Sequence, residues 1–162
     1  MTATALASLE IETADQMHRF GKGLASQLRA GDLIILTGPL GAGKTSLTRG
    51  LGEGLGVIGS VTSPTFVIAR THRRLGGGAN LVHVDAYRLS SPFELDDLDI
   101  DFENSIVVVE WGQGFFDAQA QPLLEIELER DETGETEVRQ LRATGFGARW
   151  QIEPFDAAGW VA

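Results

Sequence analysis

The sequence predicts one α/β domain over residues 1–162, with a mostly parallel central sheet, flanking helices and an antiparallel hairpin toward the C-terminus. Two continuous apolar runs of strand length, Leu33–Thr37 and residues 106–110, are typical of parallel strands that are buried on both faces. Helical patterns stand before and after the first of these runs. Residues 124–129 alternate strictly between apolar and acidic side chains, as expected of a half-exposed hairpin strand.

The composition excludes several classes of protein. The chain contains no cysteine, so disulfide frameworks, cysteine zinc sites and thiol chemistry are excluded. Thirteen basic and 23 acidic residues give a net charge of −10, which disfavours direct binding to nucleic acid or to an anionic membrane. No apolar run approaches the ~18 residues of a membrane span, and the first residues lack the basic segment of a signal peptide. We therefore expect a cytoplasmic protein.

The N-terminal half is predicted to form a helix, a strand and a second helix. A capping box of Thr13 and Gln16 begins the first helix. The apolar face of this helix comprises Met17, Phe20, Leu24 and Leu28. The strand Leu33–Thr37 follows, and Lys44–Leu55 has leucine at every fourth position, which predicts the second helix. Glycines, each unfavourable in a helix by up to ~1 kcal/mol relative to alanine, interrupt it at Gly50, Gly52 and Gly54.

The C-terminal half is predicted to contain five more strands and a short helix. The strands are residues 66–70, 81–85, 106–110, 124–129 and 137–142. A second capping box at Ser91 and Glu94, with Pro92 at the first helical position, begins the short helix. Residues 73–79 and 131–134 are predicted to connect two hairpins. The tail over residues 145–162 carries no assignment.

Residues 38–45 carry the motif with the most specific chemistry. They fit G-x-x-x-x-G-K-[ST], and they follow an apolar strand and precede a helix, which is the context that this phosphate-binding loop requires. Backbone N–H groups of such a loop surround the phosphates, and Gly41 and Gly43 allow a close approach. Lys44 is expected to reach the β- and γ-phosphates, while the hydroxyl of Thr45 is a ligand for Mg²⁺. The motif predicts a P-loop NTPase-like fold.

Two carboxylates stand at the ends of predicted strands. Asp85 ends residues 81–85, and Glu110 ends residues 106–110. Ligands of open α/β sheets bind beyond the carboxyl ends of the strands, so both acids are candidates to hold the metal or the attacking water. The residues alone leave open which of the two is the metal acid. No Asn-Lys-x-Asp motif is present to select guanine, so we expect adenine.

Two features have both a structural and a functional interpretation. His83 shares strand parity with Asp85, and it is either a satisfied structural histidine or a group that orients a carboxylate. The basic cluster over residues 70–74 is either a solvated hairpin or a docking patch. Residues 131–134 match the D-x-x-G of GTPases, but their place between two strands favours a simple turn.

Further motifs accompany the phosphate-binding loop. They are Arg49-Gly50, Ser63-Pro-Thr-Phe66, His83-Val-Asp-Ala-Tyr-Arg88-Leu89, Glu94-Leu95 and Glu110-Trp111. In this order and spacing the chain resembles the TsaE (YjeE) family over roughly residues 12–134. The resemblance implies an ATPase that uses ATP and Mg²⁺ in the biosynthesis of threonylcarbamoyladenosine in tRNA. Its implied partners are TsaB and TsaD, the latter being the subunit that performs the transfer.

The loop motif and the resemblance together give a set of candidate site residues. Those expected at the nucleotide are Thr13, Gly38, Leu40, Gly41, Ala42, Gly43, Lys44, Thr45, Ser46 and Trp111. Those expected at the metal are Thr45, Asp85 and Glu110, and the catalytic candidates are Lys44, Asp85 and Glu110. Ser63-Pro-Thr65 resembles a switch segment of the family.

Two other functions remain open at the level of sequence. A small-metabolite kinase shares this size and loop, although such kinases usually carry arginines on a lid over the phosphates. A nucleotide-gated binding module would bind ATP with negligible hydrolysis. The chain also departs from the family, which commonly has Asp where Pro39 stands and Pro or an acid where Gly112 stands. Slightly altered turnover is expected from this departure.

Overall fold

A seven-stranded mixed sheet forms the centre of the part that the computed structural model describes, which is residues 2–59, 61, 68–131, 133–152 and 155–162. The strands are β1 (Ala3–Ile11), β2 (Leu33–Thr37), β3 (Ala69–His72), β4 (Asn80–Asp85), β5 (Ser105–Glu110), β6 (Leu123–Arg130) and β7 (Arg139–Phe146). Their order across the sheet is β1-β7-β6-β2-β5-β4-β3. The helices are α1 (Ala14–Ala25), α2 (Lys44–Leu55), α3 (Pro92–Asp96) and α4 (Ala157–Val161), and short 3₁₀ helices cover Ala86–Arg88 and Ala148–Trp150.

The sheet corrects the expectation of a mostly parallel arrangement. Within the described residues, three neighbouring pairs are parallel, β2 with β5, β2 with β6 and β4 with β5. Three other pairs, β1 with β7, β6 with β7 and β3 with β4, are antiparallel. The two hairpins account for two of the antiparallel pairs. The third exists because β1, which the sequence patterns did not predict, adds to the edge of the C-terminal hairpin.

The helices α1 and α2 pack closely together on one face of the sheet. The Thr13 hydroxyl accepts a hydrogen bond from the Gln16 amide at 3.1 Å, which confirms the predicted cap. The boundaries of α2 also agree with the prediction. A Cβ atom on Gly50 would lie 1.8 Å from the carbonyl oxygen of His18, and one on Gly21 would lie 2.0 Å from that of Leu47. Glycine is tolerated in these helices because their backbones touch.

Apolar side chains on the two faces of the sheet form separate clusters. One cluster joins β2, β5 and β6 to α1, α2 and α4, with Phe20, Leu51 and Ile126 among its members. The other packs the opposite face of the sheet against Leu95 and the aromatic residues of 102–116. The central strands are therefore covered on both sides, as their continuous apolar runs predicted.

Several predicted boundaries were wrong. The strand expected over residues 66–70 is β3 (Ala69–His72), and residues 66 and 67 lie outside the described part. The last strand begins and ends later than expected, at Arg139 and Phe146. Ser91 precedes α3 without a side-chain capping bond, and the Glu94 side chain accepts from the amide of Ser90 at 2.5 Å.

This topology brings three loops together. Strands β2, β5 and β4 are parallel neighbours, so the segments that leave their carboxyl ends start at the same edge of the sheet. Leu36 of β2 pairs with Glu110 of β5, and Glu110 pairs with Asp85 of β4. The motif over residues 38–45 starts directly after β2. In the described residues, no helix has both the length and the apolar composition needed to cross a bilayer.

Candidate functional site

The loop between β2 and α2 is built on two glycines in the left-handed region. Gly41 has a φ of +81° and Gly43, the N-cap of α2, has a φ of +106°. Both glycines are also crowded, because an added Cβ would lie 2.7 Å from Arg130 Nη1 at Gly41 and 3.0 Å from Met17 Cε at Gly43. The left-handed backbone is what favours glycine at both positions, because the Arg130 and Met17 atoms are the ends of flexible side chains that can move aside. The amides at the start of α2 thus remain available for an anion.

The ammonium group of Lys44 lies at the centre of the site. It donates to the carbonyl of Gly38 at 2.6 Å and sits 3.7 Å from the centroid of the Trp111 ring. Lys44 is only 6% exposed, and this burial lowers the pKa of its ammonium, while the nearby carboxylates Glu110 and Asp85 act to raise it. Lys44 is thus a buried cation that packs on an aromatic face and interacts electrostatically with two nearby acids.

Glu110 and His83 form a buried pair beside this lysine. His83 Nε2 lies 2.5 Å from Glu110 Oε2, and the two residues are 1% and 5% exposed. An ionised carboxylate only accepts, so Nε2 carries the proton. The other ring nitrogen, Nδ1, is buried and has no hydrogen-bond partner among the described residues. The contact with Glu110 suits the interpretation in which His83 orients a carboxylate, and the buried Nδ1 leaves the ring only partly satisfied, so the role of His83 stays a prediction.

A cavity of about 680 Å³ contains most of the predicted site residues. Those that line it are Leu40, Gly41, Gly43, Lys44, Thr45, Ser46, Asp85, Glu110 and Trp111. Trp111 has a φ of +60°, an uncommon conformation for a large residue, and its ring lies 5.3 Å from that of Tyr87. Positive φ at a bulky side chain persists only where its surroundings hold it, and such positions cluster at binding sites.

Three other predicted residues lie outside this cavity. Thr13 and Ala42 line an adjoining cavity of about 180 Å³, which shares Gly41, Gly43 and Ser46 with the larger one. Gly38 lines a third cavity, together with Pro39 and Trp111, and Trp111 also lines the larger one. The predicted switch segment, Ser63-Pro-Thr65, lies outside the described residues.

The donor set fits a magnesium ion that is shared with phosphates. Within the described part of the chain, no group of three or more His, Cys, Asp or Glu side chains is placed to hold a metal. Mg²⁺ seldom uses such a cage, since it keeps several waters and takes one or two protein ligands together with substrate phosphates. The Thr45 hydroxyl and the Asp85 carboxylate line the same cavity and suit that mode.

Among the polar and charged residues that line these two cavities, sequence reasoning missed four as candidates. Tyr87 and Arg88 line the larger cavity, and Glu137 and Arg139 line the smaller one. The first two follow Asp85 within a motif that was already noted, which could have drawn attention to them. The last two come from β7 and its approach, and no local pattern marks them.

The basic cluster over residues 70–74 proves to be mixed in character. Arg74 donates through Nε to the carbonyl of Leu55 at 2.8 Å, at the end of α2. Arg70 and Arg73 are exposed. Neither the solvated hairpin nor the docking patch describes the whole cluster, because one arginine is tied into the fold.

Comparison with known proteins identifies the family. The model of the family described as threonylcarbamoyl adenosine biosynthesis protein TsaE matches residues 11–140. The chain belongs to the TsaE family. A TsaE protein of Streptomyces coelicolor is 56% identical over 139 residues, which cover 83% of this chain and 93% of that protein. The TsaE protein of Mycobacterium tuberculosis H37Rv is 47% identical over 127 residues, 73% of this chain and 76% of its own length.

A solved structure extends the comparison to nearly the whole chain. The crystal structure of YdiB from Bacillus subtilis has a TM-score of 0.72 and 25% identity, covering 99% of this chain and 96% of that one. Both TsaE relatives carry the full name tRNA threonylcarbamoyladenosine biosynthesis protein TsaE. The resemblance noted in the sequence is thus confirmed, and the mixed α/β fold is shared with a solved structure.

Proposed function

We propose that this chain is the Mg²⁺-dependent ATP-binding and ATP-hydrolysing component of the tRNA threonylcarbamoyladenosine machinery, and that it acts with TsaB and TsaD in the cytoplasm. One observation carries the proposal. Lys44, at the end of a glycine loop and at the start of α2, lies buried between the Trp111 ring and two strand-end carboxylates. In a P-loop NTPase-like site, this is the lysine that would meet the β- and γ-phosphates.

The phosphates would be held by the loop and the first turn of α2. Residues 43–46 form the N-cap and the first turn of α2. The backbone amides of a helix N-terminus are unpaired, and together with the positive end of the helix dipole they favour the binding of an anion. Binding would move the Lys44 ammonium from the Gly38 carbonyl to the triphosphate. The carbonyl–ammonium bond of 2.6 Å is thus a contact that the nucleotide is expected to replace.

Hydrolysis would use the carboxylates at the strand ends. Mg²⁺, held by Thr45 and Asp85, would offset the negative charge of the transferring phosphoryl group. Glu110 accepts a hydrogen bond from His83, which leaves its second oxygen for a water molecule. We therefore propose Asp85 as the metal acid and Glu110 as the group that orients the water.

The nucleoside would extend toward Thr13. The smaller cavity, with Thr13, Glu137 and Arg139, opens on the same loop glycines as the larger one. Adenine is expected, since the chain lacks the guanine-selecting motif.

The role in tRNA modification comes from the relatives. Their names place them in threonylcarbamoyladenosine biosynthesis. ATP turnover that sustains a separate transferase, the TsaB–TsaD complex, is the role that fits a site of this kind.

The chain contains two lysines, which gives the test of nucleotide binding a matched control. We expect Lys44→Ala to weaken ATP binding by about 10-fold or more, since a hydrogen bond to a charged group contributes about 1.5–3 kcal/mol. Lys22→Ala, which removes an exposed lysine bonded to Glu53, should leave the affinity unchanged. Calorimetry with ATP and Mg²⁺, and circular dichroism to check the fold, would measure both.

Other outcomes would redirect the proposal. Equal ATP affinity in a folded Lys44→Ala protein would refute the phosphate-binding role of the loop. Tight ATP binding with no measurable phosphate release, even with TsaB and TsaD present, would indicate a nucleotide-gated module. Phosphate transfer to small hydroxylic metabolites at a rate above hydrolysis would indicate a kinase.

A further inference from the structure

We propose that Arg130 and Arg139 are positioning residues that hold the phosphate-binding loop in its binding conformation. The inference deepens the proposed function, on which it rests, because it assigns a role at the same site to a part of the chain beyond the family motifs. Arg130 is the last residue of β6 and Arg139 the first of β7, and the two are paired in the hairpin.

The two guanidinium groups bind the backbone of the loop directly. Arg130 Nη1 donates to the carbonyl of Leu40 at 3.1 Å, and Arg139 Nη2 donates to that of Gly41 at 3.2 Å. Arg139 Nη1 also lies 3.4 Å from the carbonyls of Thr136 and Val138, so this guanidinium is fixed on its own strand as well. The loop is thereby tied to the hairpin.

With these contacts, every carbonyl of the loop over residues 38–41 has a partner. Those of Gly38 and Pro39 accept from Lys44 Nζ at 2.6 Å and from the Ala42 amide at 3.1 Å. The carbonyl and the amide hydrogen of a trans peptide point in opposite directions. Holding the Leu40 carbonyl on the Arg130 side therefore turns the Gly41 amide away from Arg130 and fixes the orientation of that peptide.

The position of the arginines on the sheet explains why they reach the loop. Leu128 and Leu141 belong to the cluster under α1 and α2, and strand alternation places Arg130 and Arg139 on that same face. Arg142 has the opposite parity, and its Nη atoms lie 3.9 Å from Glu127 and 3.7 Å from Glu129. The hairpin thus offers a third arginine that does not touch the loop.

The clamp also has an electrostatic effect. The loop lies beside Asp85 and Glu110 in a chain of net charge −10, which opposes the binding of a triphosphate. The two guanidinium groups that bind the loop offset part of this negative charge. Their hydrogen bonds to the loop backbone fix the position of the positive charge. A lysine in place of Arg139 would keep the charge but would lose the planar fork that bonds the carbonyls of Gly41, Thr136 and Val138.

The test compares Arg130→Gln, Arg139→Gln and Arg139→Lys with Arg142→Gln as the matched control. Hydrogen–deuterium exchange of residues 38–47, measured on each folded protein without nucleotide, reports the clamp itself. We expect faster exchange in the two loop-contacting glutamine variants and no change in Arg142→Gln. Calorimetry should show ATP affinity weakened about 3- to 10-fold in Arg130→Gln and in Arg139→Gln, since the lost bonds are charge-assisted but partly exposed.

Each outcome decides the proposal. Faster loop exchange with weaker ATP binding, not restored by Arg139→Lys, supports the clamp. Full recovery in Arg139→Lys would overturn it in favour of a general charge effect, and unchanged exchange in both glutamine variants would overturn it outright. A wild-type chain that bound no ATP would instead refute the proposed function, while the exchange data would still decide whether the arginines hold the loop.

Discussion

Glu110 and His83 give the site a carboxylate whose position is fixed before any substrate arrives. A group that orients or activates water contributes about 10²- to 10⁴-fold to a rate. We expect Glu110→Gln to slow ATP hydrolysis by about this factor, with ATP affinity within a few-fold of wild type, because the loop and Lys44 are unchanged. Phosphate release under saturating ATP, with calorimetry for affinity, would measure both. Normal turnover in Glu110→Gln would make this glutamate a structural residue only.

His83 supplies the control for that experiment. His83→Leu removes the donor to Glu110 Oε2, whereas His83→Gln keeps an N–H group of similar reach. If His83 positions the carboxylate, the glutamine variant should recover part of the rate that the leucine variant loses. Equal losses in both folded variants would show that the imidazole ring itself is needed.

At this scale the sequence predicted the residues that a local motif contains. Lys44 and Thr45 were predicted because their spacing from Gly38 follows from the loop's chemistry. Arg130 and Arg139 were not, because their bonds to the loop join residues 90 and 98 positions apart. Nothing in the sequence around either arginine indicates such a contact. Only the register of the hairpin brings them there.

The crossing of α1 and α2 provides a test at the scale of the element. Helix propensity alone predicts that Gly50→Ala stabilises the protein by up to ~1 kcal/mol. The structure predicts the opposite sign, since the new Cβ would lie 1.8 Å from the His18 carbonyl oxygen. We expect a loss of at least about 2 kcal/mol in the free energy of unfolding, measured by urea denaturation.

The connection between β3 and β4 contains the matched control, Gly76. A Cβ on Gly76 would meet nothing within 4 Å, so Gly76→Ala should change the stability by no more than about 0.5 kcal/mol. A Gly50→Ala protein as stable as wild type would mean that the helices separate at little cost. In that case the glycines of α2 would have no packing role.

The elements that the sequence failed to predict depend on distant partners. Strand β1 is rich in alanine and is largely exposed or half-buried, so it shows no strong strand pattern. It exists because its backbone pairs with β7 over residues 139–146. The tail likewise has no periodic pattern, yet Trp160 of α4 packs edge-on against Phe20 at 5.6 Å. The buried central strands were predictable because burial on both faces leaves a continuous apolar run.

At the scale of the whole molecule, one carboxyl group makes the stability depend on pH. A hydrogen bond with Glu127, then burial, then the negative charge of Glu127 raise the pKa of Glu125 to about 7. An acid with a raised folded pKa binds more protons in the folded state, so the free energy of unfolding falls as pH rises from about 4.5 to about 7. Glu125→Gln should therefore stabilise the protein more at pH 8 than at pH 5.

The expected difference is about 1 kcal/mol, because the side chain is only half-buried and water screens the interaction. Urea denaturation at the two pH values would measure it, and the exposed Glu103→Gln serves as control for the loss of one negative charge. A stabilisation by Glu125→Gln that is the same at both pH values would contradict the raised pKa.

The net charge of −10 bears on how a protein of tRNA modification meets tRNA. Binding to nucleic acid is driven largely by counterion release when Lys and Arg neutralise phosphates. Several arginines here are committed elsewhere, as Arg149 binds Asp32 at 2.7 Å and Arg74 binds the end of α2. We expect no saturable binding of labelled tRNA by the isolated chain up to about 100 µM protein at about 0.1 M salt, measured by fluorescence anisotropy.

With TsaB and TsaD added, any gain in tRNA affinity should come from those proteins and should remain in the Lys44→Ala variant. Tight binding by the isolated chain that weakens steeply with salt would show a basic surface strong enough to overcome the net charge.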